Sequence, residues 1–199
     1  MSEEEREGSA PNLGCGPNLA TTSATSLSLD PLCCRPTHPL FFPLSLFLYS
    51  LYIEQVDLGD PEGPRTIVSG LVSYVPKDQL SGRLVVALCN LKPRNMRGVK
   101  SDGMLLCASN ADHTAVEPLD PPAGSEPGDR LGFDADGARP GEAPAPASPN
   151  QVAKKKVWEG VQPDLKTTGD RVATWKGAAM VGPGGGVVTC ASLGDGSIS

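Results

Sequence analysis

An all-β fold, a small barrel or sandwich, is what three observations predict for this chain. Glycine and proline are abundant, 23 and 20 of 199 residues, a composition that favours turns over long helices. Short apolar runs rich in β-branched residues recur between Leu51 and Leu119, separated by Gly, Pro, Asp and Asn. No run repeats another. Short strands at close intervals, without a repeat, build a barrel or a sandwich.

Taken in order, the chain opens with MSEEEREGSA and continues to Asp30 in Ser, Thr, Asn, Gly and Ala without periodicity, which predicts disorder. From Pro36 to Ile53 no charge occurs. A membrane span needs about 20 apolar residues, and Pro39 and Pro43 interrupt this stretch. The residues before it are acidic rather than basic, and no small-residue cleavage site follows, so no membrane or secretory role is expected. The Phe, Leu, Ser and Pro of PLFFPLSLFLYS can all be written in pyrimidine-rich codons, and Tyr49–Ser50 can contain a splice-acceptor AG. Residues 1–49 are therefore expected to be doubtful coding sequence, with the true frame resuming near Ser50.

From Leu51 the patterning sharpens. LYIEQVDLG predicts a strand closed by Gly59, Asp60 and Pro61, and RTIVSGL (65–71) predicts a second. KDQLSG (77–82) is long enough for one helical turn. Leu84–Leu88 is continuous and apolar with a β-branched centre, which predicts a strand buried on both faces. A loop follows from Asn90 to Asp102, then the apolar run GMLLCA (103–108) and a further strand in HTAVEPL (113–119). PPAGSEPGDRLGF (121–133) is dense in turn formers.

Net charge is −6 and the sequence pI about 4.9, which alone argues against a nucleic-acid binder. The average hides an island. Between residues 65 and 100 lie Arg65, Lys77, Arg83, Lys92, Arg94, Arg97 and Lys100 against Asp78 alone. Four of these fall in the loop between two buried strands, where guanidinium, amide and hydroxyl groups can meet a sugar-phosphate backbone. Charge by itself would leave that loop a solvated turn.

Six cysteines show no CxxC pair and no metal-ligand spacing, so neither a metal site nor a disulfide framework is expected, and the compartment reads as reducing. The two histidines, His38 and His113, pair convincingly with no nucleophile, and no phosphate loop or carboxylate pair stands out. No enzyme activity and no cofactor are expected. The triplet Lys154–Lys156 reads as a solvated contact that could widen a nucleic-acid footprint.

The ordered series SLYIEQVDLG (50–59), PRTIVSGL (64–71), CNLKPRNMRGVKSDGMLLCAS (89–109), GSEPGDRLGFD (124–134), KKKVWEGVQPDLKT (154–167) and VATWKG (172–177) resembles the tRNA-binding domain of the endothelial-monocyte-activating polypeptide II class. This module occurs in auxiliary proteins of multi-synthetase complexes and at the C-termini of some tyrosyl- and methionyl-tRNA synthetases. The resemblance implies an OB-fold, a five-stranded Greek-key barrel over 50–118, and a small β-rich C-terminal extension over 119–199. Within the extension, the Ala/Pro stretch 138–151 is expected to be a disordered linker.

The resemblance further implies a cytoplasmic monomer that binds tRNA broadly, without catalysis, and assists an aminoacyl-tRNA synthetase. Asn90, Lys92, Arg97 and Ser101 carry the family motif, with Arg94 and Lys100 thickening the same positive surface. Met104, Trp158 and Trp175 are expected in the core rather than under a nucleotide base. The family's first strand, rich in Arg, Gly and Ile, is absent before Ser50, so the barrel is expected to lack it or to replace it with LFFPLSLFL. Two other outcomes stay open at this point: a protein-interaction or cytokine-like module, and a truncated gene product with impaired folding.

Overall fold

The computed structural model describes residues 19–26, 51–134 and 146–199, and for 19–26 the backbone alone. The barrel opens with β1 (Leu19–Ser26), β2 (Tyr52–Asp57) and β3 (Arg65–Ser69), then the single helical turn α1 (Lys77–Leu80) and β4 (Leu84–Leu88). The loop after β4 contains a hairpin, β5 (Arg94–Met96) and β6 (Val99–Ser101). An arm of short strands follows: β7 (Met104–Leu105), β8 (Cys107–Ser109) and β9 (Val116–Pro118).

Pairing closes these elements into a ring. β1 lies antiparallel between β2 and β4, and β2 pairs with β3 from Tyr52↔Ser69 to Val56↔Arg65. The free edge of β3 is met where the hairpin leads into the arm: Asp102 N donates to Thr66 O at 2.8 Å and Val68 N to Ser101 Oγ at 3.0 Å. β7 then pairs with β4, Ala87↔Leu105 and Leu88↔Met104. The circuit β4–β1–β2–β3–arm–β4 is an OB-fold barrel. Closure demands a close approach at Gly103, where an added Cβ would stand 2.8 Å from Ile67 Cδ1.

The first strand is the main departure from the sequence reading. Leu19–Ser26, expected to be disordered, forms β1 and pairs with all five residues of β4. The physical reason is the edge it covers: without a partner, one side of a buried strand would leave its N–H and C=O groups unpaired. LATTSATS carries no charge and three β-branched threonines, which suits it to that edge. LFFPLSLFL, the expected substitute, lies outside the described residues.

Alternation along β4 and the arm separates two cores. Val85, Ala87, Cys89, Leu105 and Cys107 join Val56, Leu58, Ile67 and Leu80 inside the barrel. Val86, Leu88, Leu106 and Ala108 point the other way, and all four are 0 % exposed. On that side they meet the extension: β10 (Arg130–Phe133), α2 (Pro149–Lys154), α3 (Val157–Val161), β11 (Leu165–Thr167), β12 (Ala173–Trp175), β13 (Ala178–Val181) and β14 (Ser197–Ile198). Leu131, Leu165, Trp175, Met180, Val188 and Ile198 complete this second core, with Met104 and Trp158 half-buried against it. Each fully buried aliphatic side chain contributes about 1.5–3 kcal/mol, so leaving the outer face of β4 bare would forfeit several such terms.

Two strand pairings weld the units into one sheet. β10 pairs with β1 at Leu19↔Leu131, and β14 pairs with β8 at Ile198↔Ala108. A polar latch adds to them: the Glu117 carboxylate accepts from Ser192 N at 2.8 Å, from Leu193 N at 3.4 Å and from Ser192 Oγ. The Ala/Pro stretch also differs from expectation at its end. Ser148 caps α2 in a capping box with Gln151, Pro149 occupies the first turn, and Ala147 is buried. The preceding residues 135–145 lie outside the described part of the chain.

One buried barrel residue is a carboxylic acid. Glu54 on β2 is 1 % exposed; Ser69 Oγ donates to its Oε1 at 2.6 Å, while Oε2 has no partner among the described residues. Burial pushes its pKa up from 4.5 to about 7, despite the opposing hydrogen bond from Ser69. The folded state therefore holds the proton more tightly than the unfolded chain. Stability is greatest below the unfolded value and falls as pH rises from about 4.5 to about 7, at up to about 1.4 kcal/mol per pH unit. In denaturant titrations across that window, Glu54→Gln is expected to flatten the slope. A variant whose slope equals that of the parent would refute the assignment.

Candidate nucleic-acid interface

The basic island divides by structure into cations that hold the barrel and cations that face outward. Arg65 forks onto Asp60, with Nε–Oδ2 at 2.6 Å and Nη2–Oδ1 at 3.1 Å, and donates from Nη1 to Cys89 O at 2.9 Å. Arg83 binds Asp120 Oδ1 from Nη2 at 2.6 Å and Nε at 3.1 Å. Their charges are already answered. Lys92, Arg94 and Arg97 are exposed, and none of their side chains makes an ion pair or hydrogen bond among the described residues. Lys100 is 67 % exposed and pairs with Asp102 at 2.7 Å. Such a solvated pair is worth about 0–1 kcal/mol, weak enough to be exchanged for another anion.

Arg94, Arg97 and Lys100 sit on a hairpin, not on the irregular loop expected from the sequence, and Lys92 leads into it. β5 and β6 pair at Arg94↔Ser101, Asn95↔Lys100 and Met96↔Val99, leaving Arg97–Gly98 as a two-residue turn. Both turn residues have positive φ, 52° and 89°, as a type I′ turn requires. Gly98 adopts that region freely, whereas Arg97 occupies it against the preference of residues with a Cβ. Asn95 stabilises the turn by accepting from Gly98 N at 2.8 Å through Oδ1. Arg-Gly is a weak hairpin signal compared with Asn-Gly, which is why sequence reasoning missed it. The supporting asparagine three residues before the glycine was the available clue.

Asn90 and Ser101, expected to offer an amide and a hydroxyl to nucleic acid, instead secure the base of the hairpin. Asn90 is 6 % exposed and donates from Nδ2 to Ala147 O at 2.9 Å, tying the end of β4 to the start of α2. Ser101 is 4 % exposed; it accepts from Val68 N and donates to Gly103 O at 2.9 Å. Both groups are spent on the protein's own backbone because they stand where the barrel closes. Arg94, Arg97 and Lys100 thus share one exposed hairpin, Lys92 leads into it, and Asn90 and Ser101 anchor its base.

The other chemical candidates separate. Burial pushes the Cys107 thiol up to about 12, and His113 occupies an exposed turn at φ 51°. Among the described residues no group of three or more His, Cys, Asp or Glu side chains could hold a metal ion. No described helix is long and apolar enough to cross a membrane. The anchoring role of Asn90 is testable. Asn90→Ala strands the Ala147 carbonyl and is expected to cost about 1–3 kcal/mol of stability in equilibrium unfolding. An unchanged unfolding midpoint would overturn that role.

Residues 48–130 match the family described as "Putative tRNA binding domain". The cytoplasmic tyrosine–tRNA ligase of Xenopus tropicalis is 52 % identical over 151 residues, which cover 75 % of this chain and 27 % of that protein. The mouse aminoacyl tRNA synthase complex-interacting multifunctional protein 1 is 50 % identical over 149 residues, covering 75 % and 45 % respectively. The chain thus spans less than half the length of either relative. Among solved structures, the C-terminal domain of Plasmodium vivax p43 superposes with a TM-score of 0.71 at 27 % identity, over 92 % of this chain and 96 % of that one. That superposition includes the extension as well as the barrel. Residues 48–130 thus match the tRNA-binding domain family, and the relatives agree with the endothelial-monocyte-activating polypeptide II class that the motifs resemble.

Proposed function

We propose that this chain binds tRNA, without catalysing a reaction on it, and holds it for an aminoacyl-tRNA synthetase. The observation that carries the reading is the hairpin and the residues leading into it: the Lys92, Arg94 and Arg97 side chains stand exposed and unpaired on a segment whose base is locked by Asn90 and Ser101. A rigid element loses little conformational freedom on binding, so its charges act on phosphates at small entropic cost. Lys100 joins by exchanging Asp102 for a phosphate. Arg97 at the tip can fork onto a phosphate or a base edge, which lysine cannot do.

Most exposed groups of this surface are cations, which meet phosphates whatever the base sequence. Recognition through backbone and shape is broad and strongly salt-dependent. The names of the relatives, a cytoplasmic ligase and a synthetase-complex partner, support a synthetase as the protein partner and the cytoplasm as the compartment.

The test is a set of anisotropy titrations with several different tRNAs over a range of salt concentrations. A Lys92→Ala/Arg97→Ala double variant is expected to weaken binding to all of them alike. It is also expected to lower the slope of log K against log salt by about 1–2. Unchanged affinity at physiological salt would refute the assignment of the hairpin.

A further inference from the structure

The triplet Lys154–Lys156 is a second concentration of positive charge that the hairpin does not use. All three lysines are exposed, and none has a partner among the described residues. They close α2 and lead directly into α3, where Glu159 is the nearest acid in sequence. Immediately after them, Trp158 lies half-buried against the outer core. The other tryptophan differs: Trp175 is 5 % exposed, in contact with Phe133, and its ring already faces Lys176 Nζ at 4.9 Å.

Two observations connect this segment to the hairpin. The Asn90–Ala147 hydrogen bond fixes the start of α2 at the base of the cationic hairpin, and six helical residues span only about 9 Å. Leu91, next to Lys92, and Val157–Trp158, next to Lys156, border the same core. The two cationic segments therefore rise from neighbouring points of one surface. A third observation concerns the backbone. Lys156 follows the C-cap of α2 with φ 50°, the left-handed position that helices usually give to glycine. A lysine there sacrifices local stability and supplies a charge.

We propose that Lys154–Trp158 is a second RNA contact on the extension. The three ammonium groups meet phosphates, and the Trp158 indole stacks on an unpaired base of the RNA held by the hairpin. The combination of a cationic run with a partly exposed aromatic ring is what single-stranded nucleotides recognise. The chemistry names the ligand as an RNA in which an unpaired nucleotide adjoins the backbone held by the hairpin. This inference rests on the reading of the hairpin as a tRNA-binding element.

The experiment compares the full chain with K154A/K155A/K156A, K156G and W158F by tRNA anisotropy over a salt series, alongside the Lys92/Arg97 variant. The triple variant is expected to bind about tenfold more weakly and to lower the salt slope by about 2. Lys156→Gly is expected to raise the thermal midpoint yet weaken binding, which separates a ligand role from a structural one even if the triple variant misfolds. RNA should quench tryptophan fluorescence in the parent and leave the emission of W158F unchanged. If K156G and the triple variant both keep parental affinity and slope while the hairpin variant loses binding, the extension contact is overturned and the hairpin reading stands. If the parent chain does not bind tRNA at all, both fall.

Discussion

Everything in this structure leans on a five-residue strand that has no exposed face. β4 sends Val85 and Ala87 into the barrel and Val86 and Leu88 into the core shared with the extension. A strand buried on both sides needs cover on both sides and partners on both edges. The extension supplies the outer cover, while β1 and β7 supply the edges. Were β4 alternately polar, the barrel could stand alone and the extension would have nothing to bury.

The same constraint explains how the interface is held. The chain leaves β4 at Cys89–Asn90, and the base of the hairpin is pinned from three sides. Arg65 holds Cys89 O, Asn90 holds Ala147 O, and Ser101 bridges Val68 N and Gly103 O. Rigid core below and uncompensated charge above is the arrangement that lets a few cations act on a polyanion in an otherwise acidic protein. All acidic residues but Asp78 lie outside residues 65–100, so attraction is local to the basic surface.

Several parts of this arrangement were legible in the residues. The β-branched run Leu84–Leu88, the strands after Leu51 and Arg65, and the helical turn KDQL all carry local patterns that tertiary packing then respected. Other parts were hidden for physical reasons. LATTSATS has no amphipathic alternation of apolar and polar residues, so its place in the barrel depends on the open edge of β4 and not on its own pattern. The capping box of Ser148 and Gln151 was readable but was masked by the Ala/Pro bias of its surroundings.

By itself, the sequence determined the all-β class, the doubly buried strand, the basic island and the motif order that marks the family. Those properties reside in residue type and spacing, which need no partner to be read. Only the tertiary structure decided which polar residues of the motif face outward. Asn90 and Ser101 look as suited to RNA as Lys92 and Arg97 do, yet their amide and hydroxyl fall where the barrel closes and buried backbone groups demand hydrogen bonds. Charge cannot be buried there without a partner, so the cations remained outside.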